Sequence, residues 1–398
     1  MEFNKSWNEY ILYDLANWKN GLAFKDINFS NKGKPIIKIA ELKNGITEQT
    51  KYTDGDYGEE VYLRKNDLIF SWSGNPKTSI DAFLYDLPEG YLNQHSFKIT
   101  EKKEVVEKYF LYYVLKYLNP MFQSTASDKQ TTGLGHVTIA DLKKIKVRIP
   151  DLEVQYKILN IVKNIDDKIY NNNQINDNLY KIIEQYIKEQ YYNNENVQIG
   201  NVGNIGKIQG GYAFKSKDLL NDVTNNKIFK IKNISASGVD IDNTQCVYDE
   251  VADKVDKKFL LIRGNVIIAM TGAELGKTGY LYGNDNRYFL NQRVGVIRGN
   301  DKYSELYLNC LFLLKDMQNT LNSKGYGSAQ PNISTSDIEN IEVPIPKEDE
   351  LKKFYEVCNP IYNKMILNSE QNQSLTQLRD TLLPKLMNGE IDLDKIEI

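Results

Sequence analysis

One series of short motifs occurs twice in this 398-residue chain, in the same order and at a nearly constant offset. Gly21 opens GLAFK and Gly211 opens GYAFK. PIIKIAEL (Pro35 to Leu42) matches KIFKIKNI (Lys227 to Ile234), and RKNDLIFSWSG (Arg64 to Gly74) lies over IRGNVIIAMTG (Ile262 to Gly272). LNQHSFKI (Leu92 to Ile99) lies over LNQRVGVI (Leu290 to Ile297), and VTIADLKKIKVRIP (Val137 to Pro150) over ISTSDIENIEVPIP (Ile333 to Pro346). An ordered series of this kind marks a duplicated chain, so whatever fold forms must form twice. The β-rich runs and turn residues within each copy predict an α+β unit.

Each copy leads into a long helix. From Asp151 to about Tyr192 apolar residues recur at Ile158, Ile161, Ile165 and Ile169, then at Ile175, Leu179, Ile182, Ile183, Tyr186 and Ile187, with neither Gly nor Pro between. The three-four spacing predicts one helix with a narrow apolar seam, and roughly 40 residues at about 1.5 Å each make a rod of about 60 Å. A shift of 196 residues carries Ile158, Ile161, Ile165, Ile169 and Leu179 onto Phe354, Val357, Ile361, Met365 and Leu375, and Asn172 and Asn176 onto Asn368 and Asn372. The second rod should run from about Lys347 to Leu383, where Pro384 and Gly389 supply stop signals. Two seams of matching period should pack on each other as an antiparallel coiled coil with a globular unit at each end. Asn172 and Asn368 would then sit near the crossing, either setting the register or simply facing solvent. The expected division is 1–150 and 193–346 for the globular units, 151–192 for the central helix, and 347–398 for the C-terminal helix and tail.

Composition narrows the function classes. A 41% apolar and 11% aromatic content fits a folded protein. No apolar run reaches 18 residues and the start lacks a signal-peptide layout, which predicts a cytoplasmic protein with no membrane role. Cys246, Cys310 and Cys358 are far apart and only His95 and His136 are histidines, so neither a disulfide framework nor a metal site is supported. A net charge of −3 requires that any positive charge used on DNA be local or supplied in part by another subunit.

Catalytic motifs are missing. No [DN]-P-P-[YFW] loop of an adenine methyltransferase, no dinucleotide fingerprint and no nucleophile motif is present. Thr271-Gly-Ala-Glu-Leu-Gly-Lys-Thr278 approaches a phosphate-binding P-loop, but only three residues separate Gly272 from Gly276 and a β-like run follows where a helix is needed. The stretch reads better as a DNA-facing loop with a counterpart in the first copy. Small hydroxyl residues, glycine and one lysine occur at Ser71, Ser73, Gly74, Lys77 and Thr78, and at Thr271, Gly272, Gly276, Lys277 and Thr278. Gln94 with His95 and Gln292 with Arg293 occupy equal places, where Gln can read adenine and Arg guanine, or where Gln can serve only to fix a loop. Two polar loops, Ser124 to Leu134 with Lys129 and Gln130, and Ser323 to Gln330 with Ser328, could read bases or be ordinary surface.

Over essentially its full length the chain resembles the specificity subunits of Type I restriction-modification systems. The resemblance rests on the duplicated motif order, G-x-A-F at the start of each copy, the strand ending in Ser-Gly or Thr-Gly, and Leu-Asn-Gln. It rests also on the segments ending at Pro150 and Pro346 before a long helix, and above all on LRDTLLPKLMNGEI (Leu378 to Ile391). The copies depart from each other where Gln155 becomes Leu351, and where the first helix ends in KIIEQYIKEQYY. The resemblance implies two target-recognition domains, each reading one half of a bipartite double-stranded DNA target, with the helices as a ruler. It implies no catalysis by this chain and no cofactor of its own: S-adenosylmethionine would bind two methyltransferase subunits, and ATP and Mg would bind restriction subunits that translocate and cut. A duplicated recognition subunit of another restriction or phage-defence system would share the fold and the DNA role. A P-loop enzyme and a coiled-coil scaffold without DNA are the readings from other classes.

Overall fold

The computed structural model describes residues 5–130, 133–220, 223–235, 238–283, 287–325 and 331–393. The chain divides into two compact units, Met1–Asp166 with Gln377–Ile398, and Asp167–Thr376. Each unit takes in part of both long helices, so the division falls within the helices and not where they begin.

Both units are α+β and share one topology. In the first, an antiparallel sheet runs Ala16–Asn20, Ser96–Glu101, Leu68–Ser71, Asp81–Leu84. In the second the order is Gly206–Gly210, Val294–Gly299, Val266–Ala269, Thr278–Tyr280. A smaller sheet accompanies each, with one parallel pairing, Lys34–Ile37 with Gly90–Leu92 and Asn226–Phe229 with Arg287–Leu290. The repeated apolar runs form the central strands because every residue of Leu68–Ser71 and Val266–Ala269 is buried. The turn before each strand needs a left-handed residue: Asn66 at φ 69° in one unit and Gly264 at φ 87° in the other.

A helix follows each sheet. Lys108–Asp128 is capped by the Glu107 carboxylate, which accepts from the backbone N–H of Tyr109 and Phe110. Lys302–Leu313 is capped in the same way by Asp301, accepting from Tyr303 and Ser304. The first long helix then spans Leu152–Ile187 and closes with a π-helical turn, Lys188–Tyr192. Its start is tied down by Gln155, fully buried, which accepts from the Glu107 N–H and donates to the carbonyls of Val105 and Pro150. Leu351, the counterpart of Gln155, is buried in the apolar core of the second unit, so one copy anchors its helix by hydrogen bonds and the other by packing.

The second long helix, Glu348–Asn388, corrects the expected end near Leu383. It passes through Pro360 and Pro384 and stops at Gly389, whose φ of 68° ends the turn. Proline removes one N–H from a helix that packing otherwise holds together: Leu383, Leu386 and Met387 on either side of Pro384 are core residues of the first unit.

Within the second unit the two helices pack antiparallel. Tyr186 and Tyr191 meet the Phe354 ring at 5.8 and 6.1 Å, Asn176 meets Asn368, and Asn172 meets Asn372. The seam is narrower than the sequence reading. Ile158 and Ile165 are buried, Ile161 and Leu179 half-buried against the cores, and Ile169 half-buried. Ile175 and Ile182 lie outside the seam, 40 and 50% exposed, because the buried positions Asn172, Asn176 and Ile183 alternate past them. On the partner helix Phe354 and Met365 are buried and Ile361 and Leu375 half-buried. Val357, expected in the seam, is 45% exposed; Cys358, one position on, takes its place with no exposure. Asn172 and Asn368 are each 1% exposed, which removes the solvent-facing alternative.

Candidate nucleic-acid interface

The motifs that recur in sequence meet in space. In the first unit the Leu22 N–H donates to the Leu92 carbonyl and the Gln94 N–H to the Leu22 carbonyl; in the second the Tyr212 N–H donates to the Leu290 carbonyl. G-x-A-F therefore packs on Leu-Asn-Gln in both. The glycine is required for the approach: a Cβ on Gly21 would stand 2.2 Å from the Asn93 carbonyl oxygen, and one on Gly211 2.0 Å from that of Asn291. This contact sets the turns that hold Gln94–His95 and Gln292–Arg293.

At those turns the two units share a second frame. The Trp72 N–H donates to the His95 carbonyl and the Trp72 carbonyl accepts from the Val137 N–H. The Met270 N–H donates to the Arg293 carbonyl, and the Met270 carbonyl accepts from the Ile333 N–H. Adjoining pairings set His136 opposite Ser73 and Asn332 opposite Thr271.

The proposed DNA contacts separate into available and occupied groups. Lys77, Thr78, His95, Gln130, Gln292 and Arg293 are exposed, and Gln94 is half-buried. Ser73 is buried, with its Oγ 3.1 Å from His136 Nδ1. Lys129 pairs with Asp141, which also accepts from Thr138; burial pushes the Asp141 carboxyl up, but these bonds outweigh it and hold the group below its usual value. Gly74 and Gly272 have φ values of 131° and 81° that favour glycine on backbone grounds alone. Ser328 and Gln330 lie outside the described residues.

The second-unit loop is not the open phosphate cradle expected from Thr271, Gly276, Lys277 and Thr278. Thr278 is 2% exposed; its hydroxyl donates to the Phe312 carbonyl and accepts from Gln318 Nε2. A Cβ on Gly276 would lie 2.7 Å from the Gln318 carbonyl oxygen, so that glycine admits the helix Lys315–Ser323. The N–H groups of Leu275, Gly276 and Lys277 donate to the carbonyls of Gly272, Ala269 and Glu274. Lys277 itself pairs with Glu274 at 2.7 Å, and Thr271 Oγ1 is buried without a partner among the described residues. A strand, Thr278–Tyr280, follows where a nucleotide-binding loop would open a helix. The adjoining cleft, about 570 Å³, is lined by groups of both signs, including Asp177, Glu274, Lys277 and Lys315, which does not suit a triphosphate. No cluster suited to a metal ion occurs among the described residues, and none of their helices is long and apolar enough to cross a membrane.

The family model for the Type I restriction modification DNA specificity domain matches this chain twice, at residues 4–181 and 193–377. The chain belongs to that family. It is similar to the Type I restriction enzyme MjaIX specificity subunit of Methanocaldococcus jannaschii, 26% identical over 91% of this chain and 94% of the relative. It is similar also to the HindI specificity subunit of Haemophilus influenzae, 22% identical over 97% and 99%. Among solved structures, the S subunit of a Type I restriction-modification system from M. genitalium aligns with a TM-score of 0.56 and 19% identity, covering 97% of this chain and 98% of that one, a likeness of fold. The two family matches coincide with the two copies read from the sequence.

Proposed function

We propose that this specificity-family chain directs a Type I restriction-modification complex to an asymmetric, bipartite double-stranded DNA target, one half-site per copy. The observation that carries the reading is the doubled frame: two units of one topology present turns of different chemistry, Gln94–His95 and Gln292–Arg293, on the same backbone scaffold. Equal scaffolds with unequal side chains suit two unlike half-sites. The chain performs no catalysis in this proposal. Two methyltransferase subunits supply S-adenosylmethionine and modify adenine, and restriction subunits supply ATP and Mg, all in the cytoplasm.

With a net charge of −3, the chain shares phosphate contacts with its methyltransferase partner. Binding of the assembled complex to target duplex should therefore fall steeply as salt rises, since neutralised phosphates release counterions. Target binding indifferent to salt, or ATP binding by this chain alone, would contradict the proposal.

A further inference from the structure

The chain's two histidines, His95 and His136, both lie against one tryptophan. The Trp72 ring centroid is 5.9 Å from that of His95 and 6.2 Å from that of His136. Trp72 is held in place: its Nε1–H donates to Asn20 Oδ1 and its ring stacks on Phe97 at 5.7 Å. With its N–H engaged, the indole has only ring surface left to offer; His136 Nδ1 is taken by Ser73 Oγ, so that ring offers Nε2, while His95 is exposed.

The second unit builds the same place from other residues. Met270 stands for Trp72, Arg293 for His95 and Asn332 for His136, on the equal backbone hydrogen bonds at 72 and 270. Arg293 and Asn332 are exposed, Met270 is buried, and the Thr271 hydroxyl beneath Asn332 has no partner among the described residues. The scaffold is thus constant while the side chains change from aromatic and imidazole to guanidinium and amide. Groups retained only for packing have no reason to diverge this way at 95 and 293, a position exposed in both units of the repeated frame. A base-reading position does, because Arg matches guanine, Asn matches adenine, and flat apolar surface contacts the thymine methyl.

Resting on the proposed function, we infer that this strand-end triad, Trp72–His95–His136 in one unit and Met270–Arg293–Asn332 in the other, determines base identity in the two half-sites. Arg293 reads a guanine and Asn332 an adenine in one half. His95 and His136, braced by Trp72, read the other.

The test maps methylated adenines in cells carrying the methyltransferase subunit with wild-type chain, His95→Ala, Arg293→Ala, or the graft His95→Arg with His136→Asn. Melting of each purified variant checks folding, and the two alanine changes remove exposed side chains while leaving the framing carbonyls in place. His95→Ala should lose about tenfold or more discrimination at one base pair of one half-site, the scale of one good base contact. Arg293→Ala should do the same at a G·C pair of the other half-site, and the graft should alter only the half that His95→Ala alters. Folded variants with the wild-type motif would overturn the inference, as would a uniform decline across both halves, the sign of a phosphate contact. If the wild-type chain directs no bipartite methylation, the proposed function fails and the inference with it; an unchanged motif in the variants beside a bipartite wild-type motif overturns the inference alone.

Discussion

The glycines of G-x-A-F let the backbone reach the carbonyls of Asn93 and Asn291, an approach that the repeat marks in sequence without giving its reason. Thr278 shows the opposite limit: a hydroxyl beside glycine and lysine suggested phosphate, but its partners Phe312 and Gln318 come from helices distant in sequence. Thr278→Val should lower stability by about 1–3 kcal/mol by removing the donor to the buried Phe312 carbonyl, while Gln318 keeps its bond to the Leu313 carbonyl; thermal unfolding measures the loss, and DNA affinity per folded complex stays unchanged. The seam asparagines form a reciprocal set. Asn172 Nδ2 donates to Asn372 Oδ1 and Asn368 Nδ2 to Asn176 Oδ1, both at 2.8 Å, and the repeat exchanges one pair for the other. Only one alignment of the helices satisfies both pairs, which is how buried amides fix register. Replacing Asn172 and Asn368 with Leu should let the register vary, read by cross-linking of introduced cysteines and by the half-site gap. An unaltered register and gap would contradict this role.

At the level of elements, period and helix breakers read well over long stretches and poorly at single positions. The seam was clear, but Val357 and Cys358 exchanged places because a helix drifts against a fixed repeat, and Pro384 did not stop a helix whose flanks are buried. The second helix is also bound to its own globular unit. Arg263 donates through Nε to Glu370 Oε1 at 2.6 Å and through Nη2 to Oε2 at 3.1 Å, and the Gly283 N–H donates to the same carboxylate at 3.0 Å. Burial raises the Glu370 carboxyl, but the Arg263 fork and this N–H outweigh it and hold the group below its usual value. A depressed acid stabilises above its unfolded value, near 4.3, and that contribution fades as pH falls through the folded value. Glu370→Gln should therefore destabilise the protein at neutral pH and flatten the acid side of its stability profile below about pH 4.3; a profile parallel to wild type would contradict this. The proposal also makes the helix pair a ruler, so matched insertions of whole turns in both helices should lengthen the permitted gap and leave the half-site sequences unchanged. A new half-site sequence at the old gap would contradict it.

For the whole molecule, the duplicated architecture was available from sequence because motif order survives when single motifs are weak. The grouping of Trp72, His95 and His136, and of Met270, Arg293 and Asn332, was not, since His136 and Asn332 lie far along the chain from Trp72 and Met270 and only strand pairing brings them together. The central claim is that one chain carries two unlike readers on one scaffold. Single-molecule mapping of adenine methylation, in cells with and without this gene and with the methyltransferase subunit present, tests it most directly. The account predicts one gene-dependent motif of two different half-sites separated by a fixed gap; a palindromic motif, or a methylome unchanged by loss of the gene, would contradict it.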